Sequence, residues 1–301
     1  MKLLIIGCNG QVGWELVRCL QPLGEVISVG HRQLNLSKLG EISTTLRGIA
    51  PDVIVNAAAY TAVDEAEKNE AEANLINGYA LEVIAAEAEG LGALLIHYST
   101  DYIFDGSKPC PYTEDDDPSP INAYGRSKLM GEKAIQIVDG DYVILRTSWV
   151  YAARGVNFLR TILRLSQERD ELRVVSDQIG APTWARFIAE STVHVVSQSQ
   201  HQRLEGSFVS NCYNLTASGE VSWYDFARAA VDIAKQLPNF SVRVKNITPI
   251  TSDEYPQPAK RPKNSCLATN KLENHFGLKI PAWNDVLPLC IDEMNERVSL
   301  F

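Results

Sequence analysis

The sequence lacks any apolar run near the roughly 18 residues that a membrane span needs, so no membrane partner is expected. Its first residues, Met1-Lys2-Leu3-Leu4-Ile5-Ile6-Gly7, lack the apolar region and cleavage site of a signal peptide, and a cytoplasmic location is expected. It also lacks an excess of positive charge. The 28 Lys and Arg against 37 Asp and Glu give a net charge of −9, which argues against nucleic acid or an anionic membrane surface as a partner. Its six cysteines, Cys8, Cys19, Cys110, Cys212, Cys266 and Cys290, form no CxxC pair and have no nearby pair of histidines. That excludes a disulfide framework or a zinc site and leaves reduced thiols as the reading. Repeats, a low-complexity tail and an obvious linker are missing as well.

What is present is a globular composition, 45% apolar and 22% charged over 301 residues, long enough for two domains or one large α/β unit. Short apolar runs at Leu3 to Gly7, Val26 to Gly30, Val53 to Asn56, Leu94 to Ser99 and Val143 to Thr147 read as strands. Between them, Val12 to Leu20, Leu39 to Ala50, Glu70 to Leu91 and Ala123 to Ile137 carry helical periodicity. Strands apolar on both faces and alternating with helices predict an α/β fold, a doubly wound parallel sheet of Rossmann type. After Trp149 the alternation loosens, and a smaller C-terminal domain is expected.

Gly7-Cys8-Asn9-Gly10-Gln11-Val12-Gly13 lies where the first strand meets the first helix. Gly7 suits the tight turn, Gly10 lets backbone N–H groups approach a pyrophosphate, and Gly13 lets helix and strand pack closely. In this context the loop predicts a dinucleotide site. The second strand ends in Gly30-His31-Arg32, with no carboxylate to take a ribose 2′-hydroxyl. Arg32 could meet a 2′-phosphate or lie in solvent, so NADPH is favoured as cofactor and NADH stays possible.

Tyr124-Gly125-Arg126-Ser127-Lys128 places a phenol and an ammonium four residues apart on one helical face. A cation beside it would lower a phenol's affinity for its proton and make Tyr124 a useful general acid. Tyr98-Ser99-Thr100-Asp101 ends the fourth strand, where open α/β sheets bind ligands, so Thr100 could hold the oxygen that Tyr124 protonates. Asn56-Ala57-Ala58-Ala59 ends the third strand with small side chains, against which a cofactor could lie. Asp115 to Asp117 read as a solvated loop.

Taken in order, Gly7xxGly10xxGly13, Asn56-Ala57-Ala58-Ala59, Thr100 and Tyr124xxxLys128 resemble the extended short-chain dehydrogenases/reductases. Longer stretches resemble the dTDP-4-dehydrorhamnose reductase family within them. They include Gly10 to Leu16, Tyr60-Thr61-Ala62-Val63-Asp64, His97 to Phe104, Arg146 to Tyr151, Asp177 to Thr183 and Arg261-Pro262-Lys263-Asn264-Ser265. The resemblance implies NADPH-dependent reduction of the C4 ketone of dTDP-4-dehydro-6-deoxy-L-mannose to dTDP-L-rhamnose. It implies Tyr124 as proton donor, Lys128 as its electrostatic partner and ribose ligand, and Thr100 as ligand of the substrate oxygen. Asp101 and Trp149 would touch the sugar, with Gln178, Gly180 and Pro182 near the nucleotide-sugar. Arg261 could bind the diphosphate or cap a helix. Gly7, Asn9, Gly10, Gln11, Val12, Gly13, Arg32, Asn35, Ala57, Ala58, Ala59, Thr61 and Tyr98 would line the cofactor with Tyr124 and Lys128.

Residues 1–149 would then be the NADP-binding domain, with parts of 184–200 and 240–250 returning to it, and 150–301 mainly the nucleotide-sugar domain. Two departures stand out. Asn35 replaces an Asp usual near the adenosine. Arg186 occupies the middle position of a carboxylate set that gathers magnesium between the subunits of some relatives; Glu15 survives, and Glu293 or Glu296 could supply the last member. Magnesium is therefore possible but not expected to be required, and a monomer or homodimer is expected. Other functions on this scaffold are a nucleotide-sugar epimerase or dehydratase, or a non-catalytic regulatory subunit like that of methionine adenosyltransferase. Dehydration is disfavoured because Tyr102, not a second carboxylate, follows Asp101.

Overall fold

The computed structural model describes residues 1–298. Strands β1 (Lys2–Ile6), β2 (Glu25–Val29), β3 (Val53–Asn56), β4 (Leu94–Thr100) and β5 (Tyr142–Thr147) alternate with α1 (Gln11–Cys19), α2 (Leu39–Ile49), α3 (Ala80–Leu91) and α4 (Ala123–Ile137). Strands β6 (Glu171–Val175), β7 (Asn211–Asn214) and β8 (Asn246–Ile250) follow, among α5 (Phe158–Glu168), α6 (Ala185–Glu205), α7 (Trp223–Ala234), α8 (Asn270–Phe276) and α9 (Trp283–Val298). The central sheet runs β7-β5-β4-β3-β1-β2 with every pair parallel, a Rossmann-type arrangement.

Side chains alternate across a strand, and the cores on the two faces follow that period of two. Leu3, Ile5, Val55 and Ile96 pack with Leu16 of α1 and Ile188 of α6. Leu4, Ile6, Ile54 and Leu95 pack on the other face with Ile42 of α2, Ile84 of α3 and Ile135 of α4. Burying each such side chain contributes roughly 1.5–3 kcal/mol, so a one-residue slip of register would be costly on both faces at once.

One expected boundary is corrected. The segment 240–250 does not return to the central sheet: β8 pairs in parallel with β6, Ile247 opposite Leu172. The strand that returns is β7, with Cys212 opposite Ile144. Its sequence, Asn-Cys-Tyr-Asn, is too short and polar at its ends to show an apolar run. The helical stretch Glu70 to Leu91 is also interrupted, by a π turn at Leu75–Tyr79. There the buried Asn77 bonds Tyr60 N (2.8 Å) and the Ser127 hydroxyl (2.9 Å), tying the loop after β3 to α4. A second core gathers Tyr151, Leu159, Phe226, Leu287 and Ile291 under α5, α7 and α9.

Candidate active site

The chain leaves β1 for β2 on one side and returns as β3 on the other, which opens a crevice outside the carboxyl ends of β1 and β3. Two glycines there are demanded by the fold. Gly7 has φ +86°, and a Cβ on it would come within 2.7 Å of Ala58 N. A Cβ on Gly13 would come within 2.1 Å of Gly7 O. Gly10 differs, because a Cβ there would make only an ordinary 3.4 Å contact with Gly7 O. Packing does not require that glycine, whereas a close ligand would. Gly10 caps α1 without a side-chain hydrogen bond, so the first-turn N–H groups of Gln11, Val12 and Gly13 are the orphan donors of a helix start.

The other expected cofactor residues gather around this loop. Asn9 lies over Gly30 at the end of β2, Ala57 to Ala59 are half-buried beside Gly7, and Arg32 and Thr61 are exposed. Val12 packs onto the core below. Gln11 accepts a 2.8 Å hydrogen bond from Asn157, the cap of α5, and so joins the two halves of the chain. Asn35 is occupied locally: its Oδ1 accepts from Ser37 N (3.0 Å) and Oγ (2.9 Å). An Asp there could make the same turn, so the substitution removes a charge and keeps the geometry. Tyr98 departs from expectation. Its phenol bonds Thr192 of α6 at 2.7 Å within the core, and only its carbonyl faces α4.

Helix α4 starts at Asn122, whose side chain accepts from Gly125 N and donates to Lys260 O, both at 2.8 Å. This cap fixes Tyr124 in the first turn of α4. The Thr100 hydroxyl donates to Asp101 Oδ1 (3.0 Å) and accepts from Tyr102 N (3.2 Å). Its single proton is thus used on Asp101, and Thr100 also stands beside the Tyr124 phenol, where its hydroxyl acts to lower the phenol's hold on its proton. Tyr124, Thr100 and Asp101 stand side by side, with Thr100 donating to Asp101. Burial pushes the Asp101 carboxyl up to about 7, against hydrogen bonds from Ser265 and Thr100.

The expectation that Lys128 lowers Tyr124 is corrected. Burial pushes the phenol above its ordinary range; the Thr100 bond opposes this and Asp101 reinforces it. Lys128 turns to the sheet instead, where Nζ meets Tyr98 O at 2.7 Å and His97 Nε2 at 3.1 Å. Burial pushes this amine down to about 8, partly offset by Glu132.

On the far side of the crevice, Trp149 takes the left-handed φ of +47° and stacks on Trp223 with centroids 3.4 Å apart. Gly180 lies directly under the Trp149 ring, 2.5 Å from where a Cβ would stand. Pro182 follows in the same buried turn, where Thr183 N bonds Trp149 O at 3.2 Å. A cavity of about 710 Å³ opens beside them, its wall including Tyr102, Gln178, Trp223, Tyr255 and Arg261. Gln178 bonds Ser252 Oγ at 2.9 Å. Neither reading of Arg261 describes its contact, an ion pair with Asp64 at 2.8 Å. Asp116 of the acidic loop pairs with Lys108 at 2.6 Å. Sequence reasoning gave no role to Trp223, Asp64 or His97; the polar His97 inside an apolar strand was a signal for the last.

Glu15, Glu293 and Arg186 come together, and they do not fit a magnesium ion. The Arg186 guanidinium lies 3.3 Å from Glu15 and 3.1 Å from Glu293, so a fixed cation stands where the metal would. Among the described residues no group of three His, Cys, Asp or Glu could hold a metal. Turnover and sedimentation of EDTA-treated protein are therefore expected to be unchanged when magnesium is restored. A metal-dependent gain in either would overturn this.

Comparison with known proteins gives the family of the chain. The family described as RmlD substrate binding domain matches residues 1–296. The chain is 46% identical to a dTDP-4-dehydrorhamnose reductase of Burkholderia thailandensis, over 98% of this chain and 99% of that one. A crystal structure of the dTDP-4-dehydrorhamnose reductase of Clostridium acetobutylicum superposes with a TM-score of 0.89 at 36% identity, covering 98% of this chain and 99% of that one. The Bacillus anthracis reductase, solved in complex with NADP, gives a TM-score of 0.87 at 33% identity, with 97% and 99% covered.

Proposed function

The chain belongs to the RmlD substrate binding domain family, and on that premise we propose that it reduces the C4 ketone of dTDP-4-dehydro-6-deoxy-L-mannose to dTDP-L-rhamnose with NADPH. The observation that carries this is the cluster of Tyr124, Thr100 and Asp101, set at the carboxyl edge of the sheet beside the glycine loop. Bound NADPH supplies the hydride. Reduction needs a phenol that still holds its proton, and burial keeps Tyr124 in that form. With the C4 oxygen beside both groups, Tyr124 would give it a proton and Thr100, turning its hydroxyl from Asp101, would hold it, an oxyanion-type contribution. Asp101, Trp149, Gln178, Gly180, Pro182 and Arg261 surround the nucleotide-sugar. Gly7, Asn9, Gly10, Gln11, Val12, Gly13, Asn35, Ala57 to Ala59 and Thr61 would hold the cofactor, with Lys128 as the ligand of its ribose.

The division into units follows these roles: residues 1–149 with α6 and β7 hold the cofactor, and most of the remainder holds the sugar. The protein works as a monomer or metal-independent homodimer. Among the described residues no helix is long and apolar enough to cross a membrane.

The test is NADPH oxidation by the purified protein on dTDP-4-dehydrorhamnose. Turnover supports the reductase reading; binding without turnover favours a regulatory subunit. NADPH should give a higher kcat/KM than NADH. Among the described residues no carboxylate pairs with the exposed Arg32, which is free to meet a 2′-phosphate. Arg32→Ala should reduce the NADPH value by about 1–2 kcal/mol, roughly 5- to 30-fold, and leave NADH unchanged. Equal efficiencies in both proteins would remove Arg32 from recognition.

A further inference from the structure

Behind Lys128 the two central strands carry polar side chains where their neighbours are apolar. Asn56 on β3 and His97 on β4 stand opposite each other in the register, both without exposed surface. Their hydrogen bonds can be followed atom by atom. Ala58 N–H donates to Asn56 Oδ1 (3.1 Å), which fixes the oxygen end of the amide. The other end, Nδ2, faces His97 Nδ1 at 3.2 Å. An amide nitrogen only donates, so Nδ1 carries a lone pair, and a neutral imidazole then has its hydrogen on Nε2. Burial keeps the ring neutral, holding it well below the ordinary histidine range, and any positive charge on Lys128 would act the same way. That Nε2–H points at Lys128 Nζ, 3.1 Å away. An ammonium has three donors and no acceptor and would set donor against donor, whereas a neutral amine has a lone pair to receive the hydrogen.

We propose that Asn56 and His97 are positioning residues that bias Lys128 toward the neutral amine in the cofactor-free protein, by presenting an imidazole N–H to its lone pair. This rests on the reading that Lys128 works beside Tyr124. The other ionisable groups around the pair leave the arrangement intact. Glu132, one turn along α4, favours the ammonium, but its carboxylate is bound by Arg146 of β5 at 2.8 Å. Tyr124 shares the helix, and Asp101 and Tyr102 stand on the turn after β4, where Asp101 bonds Thr100. The Tyr98 phenol is turned away to Thr192. Burial alone already pushes Lys128 down to about 8, and the network acts in the same direction.

Two measurements on the cofactor-free wild-type protein test the proposal without any turnover. Nitrogen-15 spectra of labelled histidine should show a neutral ring with its hydrogen on Nε2. His31, His194, His201 and His275 are all exposed, so the ring hydrogen protected from solvent exchange belongs to His97. A hydrogen on Nδ1, or a charged ring, overturns the proposal. Carbon-13 spectra of labelled lysine should show one residue titrating near 8, absent in Lys128→Met. A Lys128 midpoint in the ordinary range near ~10.4 overturns it too. In His97→Gln the side-chain oxygen can turn to accept from an ammonium, and the Lys128 midpoint should rise by at least about one pH unit, tenfold in proton affinity. An unchanged midpoint removes His97 from the role; if that variant does not fold, the wild-type spectra decide. The reductase reading fails separately, through absence of NADPH oxidation.

Discussion

Tyr124→Phe is expected to bind cofactor and sugar much as the wild type does and to turn over at least about 100-fold more slowly, within the ~100- to 10,000-fold range of a positioned general acid. The substitution removes one oxygen and keeps the ring, which meets Tyr102 edge-on with centroids 5.7 Å apart, so the helix start and its Asn122 cap are undisturbed. What disappears is the phenol proton beside Thr100 and Asp101. Thr100 keeps its proton on Asp101 Oδ1 (3.0 Å) and so cannot replace the phenol without breaking that bond. The loss should appear in kcat and in kcat/KM equally, with KM close to wild type, because the transferred proton matters in the transition state and little in the ground state. A turnover within tenfold of wild type would take the proton-donor role from Tyr124.

The pattern behind this site was readable in the sequence to a definite depth. The strand ends, the glycine loop and the YxxxK helix follow from period and spacing, because parallel strands must be apolar on both faces and glycines must stand where backbones approach. Parity along β4 carried further information: Leu94, Ile96 and Tyr98 share one face, and Leu95 and His97 the other. Read that way, Tyr98 belongs to the α6 side and His97 to the side of Lys128. What spacing could not give is the direction of a long side chain. A Tyr and a Lys four apart share a helical face, yet four rotatable bonds take the Lys128 amine to the sheet. Nor could it give the partner of Arg261, since Asp64 lies 197 residues away. Strand β7 escaped because one parallel edge of four residues has too few positions to show a period.

Removing one member of the buried pair Arg146–Glu132 should be the most destabilising change near the site. The guanidinium of β5 donates to both carboxylate oxygens of α4, at 2.8 and 3.1 Å, with the side chains 5% and 1% exposed. Breaking such a pair leaves a buried charge without compensation, and about 3–5 kcal/mol is the usual cost, a fall in Tm on the order of 10 °C for a chain of this size. Arg146→Met leaves that charge on Glu132. The carboxyl then escapes by binding a proton, so its folded pKa is raised above the unfolded one. The folded state therefore binds more protons, and the stability of this variant relative to wild type should fall as pH rises from about 5 to 8. Arg146→Met combined with Glu132→Leu removes both charges and should recover most of the loss, since apolar pairs of similar volume replace buried ion pairs well. Thermal unfolding of the three proteins at both pH values checks the argument. Equal losses in the single and double variants would mean that packing of Arg146 over the Phe104 ring, 5.5 Å away, and not the charge left on Glu132, is what holds α4 against the sheet.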